Sequence, residues 1–241
     1  MRVAIYTAVF GDYDEPKEPP AQDIDCDFFC FTDAPRQQHA SRWWIIQVAR
    51  DSRLHPRMQA KRYKLLSHEV FPGGRLAVRY DPLMALFFSR PRYDATIWVD
   101  GSLSLRSARF ARDVRECLAK ASWAMFPHPD RDCIFEEAMA SAAMLKYRCL
   151  PIEEQVASYR RRGIQPHSGL YACGVIARKE PLSAKLREAN KVWWAENLKW
   201  TYQDQLSLPF VLHQLGIGVD LIPGSLWHND WFDWIPHKSE S

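Results

Sequence analysis

The chain has 241 residues, 47% hydrophobic and 25% charged, which is enough for one substantial core and at most a small appendage. Its formal net charge of +3 does not demand a polyanionic partner, so any phosphate-binding role falls to a local basic patch. The six cysteines, Cys26, Cys30, Cys117, Cys133, Cys149 and Cys173, form no CxxC pair, which argues against a zinc site and for reduced, mostly buried thiols.

Strand-like and helix-like segments alternate from end to end. Residues 2–9 read as a buried strand, followed by a turn-rich stretch over 11–20. A second strand, 27–31, is closed by Thr32, Asp33 and Pro35, and 43–48 is a third. Residues 58–70 have helical spacing and stop before Pro72-Gly73-Gly74. Residues 96–99 form a short apolar strand that ends on Asp100-Gly101. Helical patterns at 108–120, 134–147 and 152–162 enclose a strand at 121–126, and a strand at 170–177 follows. Helices at 182–197 and 203–215 and a last strand at 219–222 complete the series. This order predicts an α/β fold, a mostly parallel sheet flanked by helices on both faces. With no repeat, low-complexity tract or linker, one domain over 1–236 is expected, with a flexible tail at 237–241. No basic-then-apolar leader is visible, and the longest apolar run, 83–88, is too short to cross a bilayer, so the expected location is cytoplasmic. Most of the ten tryptophans read as large core side chains, and a surplus also fits a carbohydrate or nucleotide site.

Several groups of residues carry chemistry. Thr7, Phe10, Gly11, Asp12, Tyr13 and Asp14 sit where the first strand delivers its C-terminal turn, the ligand-binding edge of open α/β sheets; a plain Asx turn explains them as well. Lys61, Lys64 and His68 share one helix face, with Arg62 beside them, and converging cations suit a diphosphate leaving group. A solvated basic face is the competing explanation. Asp100-Gly101-Ser102 places one carboxylate at the end of an apolar strand, an oxygen ligand fit for a hard divalent cation bridging phosphates. An Asp capping a turn is the bland alternative. His128-Pro129-Asp130-Arg131 with Glu136 and Glu137 offers Arg131 for a sugar hydroxyl, carboxylate or phosphate, while either glutamate can serve the helix start. His167-Ser168-Gly169 brackets a strand with small residues, for a ligand or for close packing. Tyr202-Gln203-Asp204-Gln205 opens a helix with an acid. Trp227-His228-Asn229 offers His228 as a late metal ligand or as the polar edge of an aromatic cluster.

The order of these motifs decides between the readings. The run from Tyr6 to Asp14, then Cys30-Phe31-Thr32-Asp33, Lys61-Arg62-Tyr63-Lys64 with His68, Trp98-Val99-Asp100-Gly101-Ser102, His128-Pro129-Asp130-Arg131, Glu136-Glu137, Gly169-Leu170 and Asp204-Gln205 together resemble the glycosyltransferase-like domain of plant Golgi proteins of pectin and mucilage synthesis and of many bacterial proteins. The resemblance spans almost the whole chain, from Val3 to His228. It implies a GT-A fold, a Rossmann-like sheet that binds a nucleoside diphosphate sugar, here expected to be UDP-linked, and transfers the sugar to a glycan or other hydroxyl acceptor.

By the same likeness Thr7, Phe10, Gly11, Tyr13, Asp33, Lys61, Lys64, His68, Asp100, Gly101, Ser102 and Gly169 would hold the donor. Asp100 with His228 would hold Mn2+ or Mg2+, and Asp204, Glu137 and Arg131 would serve catalysis. Asp100 stands where an Asp-X-Asp metal motif is usual, but the motif here is Asp-Gly-Ser and lacks the second acid. The likeness leans towards retention of configuration; an inverting enzyme would need Asp204 or Glu137 as base. The rivals are a nucleotide-sugar-binding protein without catalysis, a sugar transferase acting on modified nucleic acid, and a hydrolase. The second rests on a pI near 8.5 and the run Arg160-Arg161-Arg162, which reads equally as the end of a solvated helix, and no stable nucleic-acid partner is expected. The third lacks a GxSxG elbow.

Overall fold

A computed structural model describes residues 2–11, 14–34, 41–80 and 91–236. Strand β1, Arg2–Val9, is the third strand of a seven-stranded sheet. It pairs in parallel with β2, Asp25–Thr32, on one side and with β4, Ala95–Val99, on the other. β2 in turn pairs in parallel with β3, Trp43–Gln47. Beyond β4 comes β7, Tyr171–Lys179, antiparallel to both β4 and β6, Trp123–Pro127. The short β8, Asp220–Leu221, closes the far edge in parallel with β6. Four of these six pairings are parallel, so the expected mostly parallel α/β sheet of the Rossmann-like GT-A type is the one observed, with β7 reversed.

The central strands are mostly apolar because both of their faces are covered, and successive side chains point to opposite faces. Ala4, Tyr6 and Ala8 enter one core layer with Phe29, Phe31, Trp98 and Ile176. Val3 and Ile5 enter the other with Phe28, Ile97, Val175 and the helix residues Phe110 and Val114. The first layer is roofed by α1 (Pro56–Leu65), α6 (Ala184–Lys199) and α7 (Asp204–Leu215). The second is covered by α3, Phe110–Glu116. Two further helices, α4 (Ile134–Ala142) and α5 (Ile152–Arg161), pack on each other, and α4 also packs on α7.

Three expectations are corrected. The helix expected over 58–70 breaks at Leu66, whose ψ of 44° ends α1 and separates it from the single turn α2, Ser67–Val70. The helices expected at 108–120 and 134–147 are shorter, ending at Glu116 and Ala142. A second small sheet pairs β5, Leu103–Leu105, with β9, Phe232–Trp234, and neither strand was expected. The cysteines are free, as expected, but Cys149 is exposed. Among the described residues no helix is long and apolar enough to cross a membrane. The expected tail, 237–241, lies outside the described residues.

Candidate functional site

A cleft of about 390 Å³ opens where β1 and β4 end and where α1 and α7 begin. That is the edge at which open α/β sheets take their ligands. α1 starts with Pro56 in its first turn and the His55 side chain capping Arg57 N–H, so its face 57, 61, 64 turns into the cleft. The far end of α1 is held from below: the fully buried Arg178 donates to the Lys64 carbonyl at 2.8 Å and to the Tyr6 hydroxyl at 3.1 Å.

Four charges meet inside. Lys61 and Lys64 Nζ lie 2.9 and 2.7 Å from Asp204 Oδ2, and Lys64 Nζ also lies 3.1 Å from Asp100 Oδ1. The side chains of Lys64 and Asp204 are 3% and 5% exposed, so this is a desolvated ion cluster. Burial opposes the charge on Asp204, but Lys61 and Lys64 overcome it and hold its carboxyl down to about 2. Burial likewise opposes the charge on Lys64, and Asp100 and Asp204 raise it regardless. For Lys61 burial prevails and the pKa falls, with Lys64 adding to the fall and Asp204 resisting it.

Asp100 follows β4 directly. Its N–H donates to the Gly174 carbonyl at 2.9 Å and its own carbonyl accepts from Leu103 N–H at 3.0 Å, which closes the turn. The Trp98 indole N–H donates to the same Oδ1 at 2.5 Å. A Cβ at Gly101 would sit 3.1 Å from Asp14 Oδ2, so only glycine leaves Asp14 its place beside this turn. Ser102 is nearly buried and gives its carbonyl to Ile235 N–H.

Glu137 is 2% exposed and saturated. Arg131 Nε and Nη2 both reach its Oε2 at 2.7 Å, while Ser141 and Gln203 donate to Oε1 at 2.9 and 3.2 Å. This carboxylate therefore positions Arg131 at the cleft wall. Its neighbour His128 loses basicity through burial, with Glu137 opposing and Arg131 assisting.

Of the expected site residues, Lys61, Lys64, Asp100, Gly101, Ser102, Arg131, Glu137 and Asp204 all line this cleft. Phe10 borders it too, but its ring is 2% exposed and stacked on Tyr63, so it serves as floor and core. Thr7, Gly11, Asp33, His68, Gly169 and His228 are not among the described residues that line it. Thr7 is buried within β1. Asp33 accepts from Gly11 N–H and so fixes the turn that follows β1. The break at Leu66 turns His68 away towards Asn190 on α6, 3.3 Å distant. Gly169 packs near Tyr171 and donates to the Asp132 carbonyl. Arg62 points outward to Glu69. His228 is exposed, and Tyr13 lies outside the described residues.

Among the described residues, the one grouping of three with metal-ligand geometry is Cys133, Glu136 and His167, and neither Asp100 nor His228 belongs to it. Residues not singled out from the sequence also line the cleft: Arg57, Lys146, Tyr147 and Trp234. Arg57 was legible as the earlier member of the helical stripe 57, 61, 64. Tyr202 stacks on His55 and tilts against Tyr147, and its hydroxyl donates to the Lys146 carbonyl, so this lip is built from segments far apart in sequence.

A family described as "TOD1/MUCI70, glycosyltransferase-like domain" matches residues 1–223. The chain is also similar to "Probable hexosyltransferase MUCI70" of Arabidopsis thaliana, at 24% identity over 236 residues. That alignment covers 87% of this chain and 37% of the relative, so the chain spans little more than a third of that protein's length. The match across almost the whole sheet and its cleft shows that the chain belongs to the TOD1/MUCI70 glycosyltransferase-like domain family.

Proposed function

We propose that this domain transfers a hexosyl group from a nucleoside diphosphate sugar, UDP-linked by family likeness, to a hydroxyl of a glycan acceptor. The observation that carries the reading is the pair Lys61 and Lys64, desolvated in the cleft beside Asp100 and Asp204. Ammonium groups already stripped of water act strongly on the charge that builds on a departing diphosphate. Arg57 and Arg131 add cations to the same wall.

In the proposed reaction the bond between the sugar C1 and the diphosphate oxygen breaks and the bond from C1 to the acceptor oxygen forms. Neither carboxylate offered as a base suits that role. Asp204 at about 2 is too weakly basic near neutral pH, and Glu137 is engaged by Arg131. The acceptor proton then goes to the leaving diphosphate on the same face, which favours retention. Asp204, ionised, faces the positive charge that develops on the sugar ring.

A divalent cation fits the chain's own donors poorly. The acids at this turn are Asp100 and the neighbouring Asp14, but Asp100 Oδ1 already takes Lys64 and Trp98, and Ser102 is neutral. No step is therefore assigned to a metal; Mn2+ or Mg2+ at this cleft would depend on the diphosphate oxygens. The same contact between Lys64 and Asp100 favours a second reading, a nucleotide-sugar-binding protein without catalysis. The basic run offers nucleic acid less than its sequence suggests, since Arg162 is drawn back over Phe210 and Glu196.

The test is thermal unfolding against a panel of nucleoside diphosphates and their sugars, with and without manganese. A ligand at about a hundredfold excess over its Kd adds roughly 2.7 kcal/mol. In a domain of this size that is a rise of roughly 5–10 °C. The rise should appear with one base and vanish in Lys61→Ala/Lys64→Ala. No shift with any nucleotide would defeat both readings.

A further inference from the structure

Residues 224–236 lie beyond the part of the chain that matches the family, 1–223. They nevertheless fold back onto the turn that carries Asp100. Phe232–Trp234 pairs with Leu103–Leu105, the strand immediately after that turn, with Trp234 opposite Leu103. Ile235 N–H donates to the Ser102 carbonyl at 2.8 Å, and Arg106 N–H donates to the Trp231 carbonyl at 2.9 Å. Asn229 shapes the connection from within: its Oδ1 accepts from Trp231 and Phe232 N–H, and its Nδ2 donates to the carbonyls of Ser225 and Leu226. Phe232 and Leu226 are buried, the latter against Gly174, where an added Cβ would meet it at 3.2 Å. The segment is thus built as a fixed part of the cleft.

Two large side chains on this anchored segment stay out of the core. Trp227 and Trp234 are 48% and 46% exposed, their rings meet edge to face at 6.1 Å, and both line the cleft that contains Asp100 and Lys64. Among the described residues neither indole N–H has a hydrogen-bond partner. Half-exposed indoles on an anchored segment beside a polar cleft match the apolar C–H face of a pyranose ring, with the N–H groups free for its hydroxyls.

We propose that Trp227 and Trp234 form the acceptor subsite, a stacking platform for a pyranose unit of an acceptor glycan. This rests on the transferase reading and adds the acceptor's place. The donor's charge is met by Lys61 and Lys64 on α1; the acceptor ring lies on the C-terminal segment, next to the turn where the two substrates meet.

The experiment uses the full chain, with Trp227→Ala/Trp234→Ala and the conservative Trp227→Phe/Trp234→Phe. Binding to a microarray of neutral and acidic oligosaccharides finds a glycan, and saturation-transfer NMR measures its affinity for each variant. Calorimetry with UDP reads the donor side. The expected result is an oligosaccharide whose affinity falls at least tenfold in the double Ala variant and recovers partly in the double Phe variant, with UDP affinity within about twofold of wild type. Glycan binding through the two tryptophans in a protein that binds no nucleotide would uphold the platform and sink the transferase. Three results overturn the platform: unchanged glycan affinity in the double Ala variant, loss of UDP affinity with the tryptophans, or no oligosaccharide bound by the wild type.

Discussion

Replacing Asp204 by Asn removes the anion that Lys61 and Lys64 share while keeping the shape of the side chain. Lys64, 3% exposed, would keep only Asp100 at 3.1 Å. Removing one partner of a buried ion pair costs about 3–5 kcal/mol, and the surviving contact puts this case near the lower end, about 3 kcal/mol. At roughly 2–4 °C per kcal/mol for a domain of this size, the variant should melt about 6–12 °C below wild type at neutral pH. The pH dependence fixes the cause. The Asp204 carboxyl is depressed from 3.8 to about 2, so its contribution is full above pH 4 and is lost as pH falls through 2. That shift corresponds to about 2 kcal/mol, and the gap between variant and wild type should narrow over this window. A nucleoside diphosphate should also stabilise the variant more than the wild type, because it supplies the missing anion. Melting within about 2 °C of wild type at neutral pH, or a gap that does not narrow in acid, would mean that the Asp204 carboxylate does not stabilise the fold through Lys61 and Lys64.

Glu180 gives the opposite pH signature. Burial lifts its carboxyl from 4.5 to about 7 despite hydrogen bonds from Thr96 and Leu182 N–H. A raised carboxyl stabilises fully below pH 4.5 and loses that contribution as pH rises through 7, on the order of 3 kcal/mol. Denaturant titrations at pH 5 and pH 8 should show that loss in wild type and not in Glu180→Gln. Gly11→Ala should cost about 1–2 kcal/mol, since φ is +68° and the new Cβ would meet Pro56 Cγ at 3.1 Å. Gly73→Ala, at φ +63° in open space, should cost about 1 kcal/mol, and equal costs in thermal unfolding would show that the Pro56 contact does not matter. Transfer activity should survive a chelator in large part, because Lys61 and Lys64 meet the diphosphate; complete loss would return that role to a metal at Asp100.

Much of the fold was legible because the central strands are buried on both faces, so 2–9, 96–99 and 170–177 stand out as apolar runs of strand length. The break at Leu66 was not, since helical spacing continues across 58–70 and nothing local marks the residue. β5 and β9 have three residues each, too few for a period, and exist only by pairing with each other across the chain. The site followed the same rule. Charged residues at strand ends and helix starts, such as Asp100, Lys61, Lys64 and Asp204, converge because the topology brings those ends together. His68 fails because it sits past the break. Trp227 and Trp234 matter through their exposure, which is decided by tertiary folding and leaves no local trace.

Lys61, Lys64, Asp100 and Asp204 are proposed to line a donor site that acts. Its most direct test is release of nucleoside diphosphate from a panel of nucleotide sugars, by water alone and with oligosaccharide acceptors, followed by mass spectrometry. Release is expected from one donor, faster with an acceptor, and at least a hundredfold slower in Lys64→Ala. No release from any donor, or release that Lys64→Ala leaves intact, would contradict it.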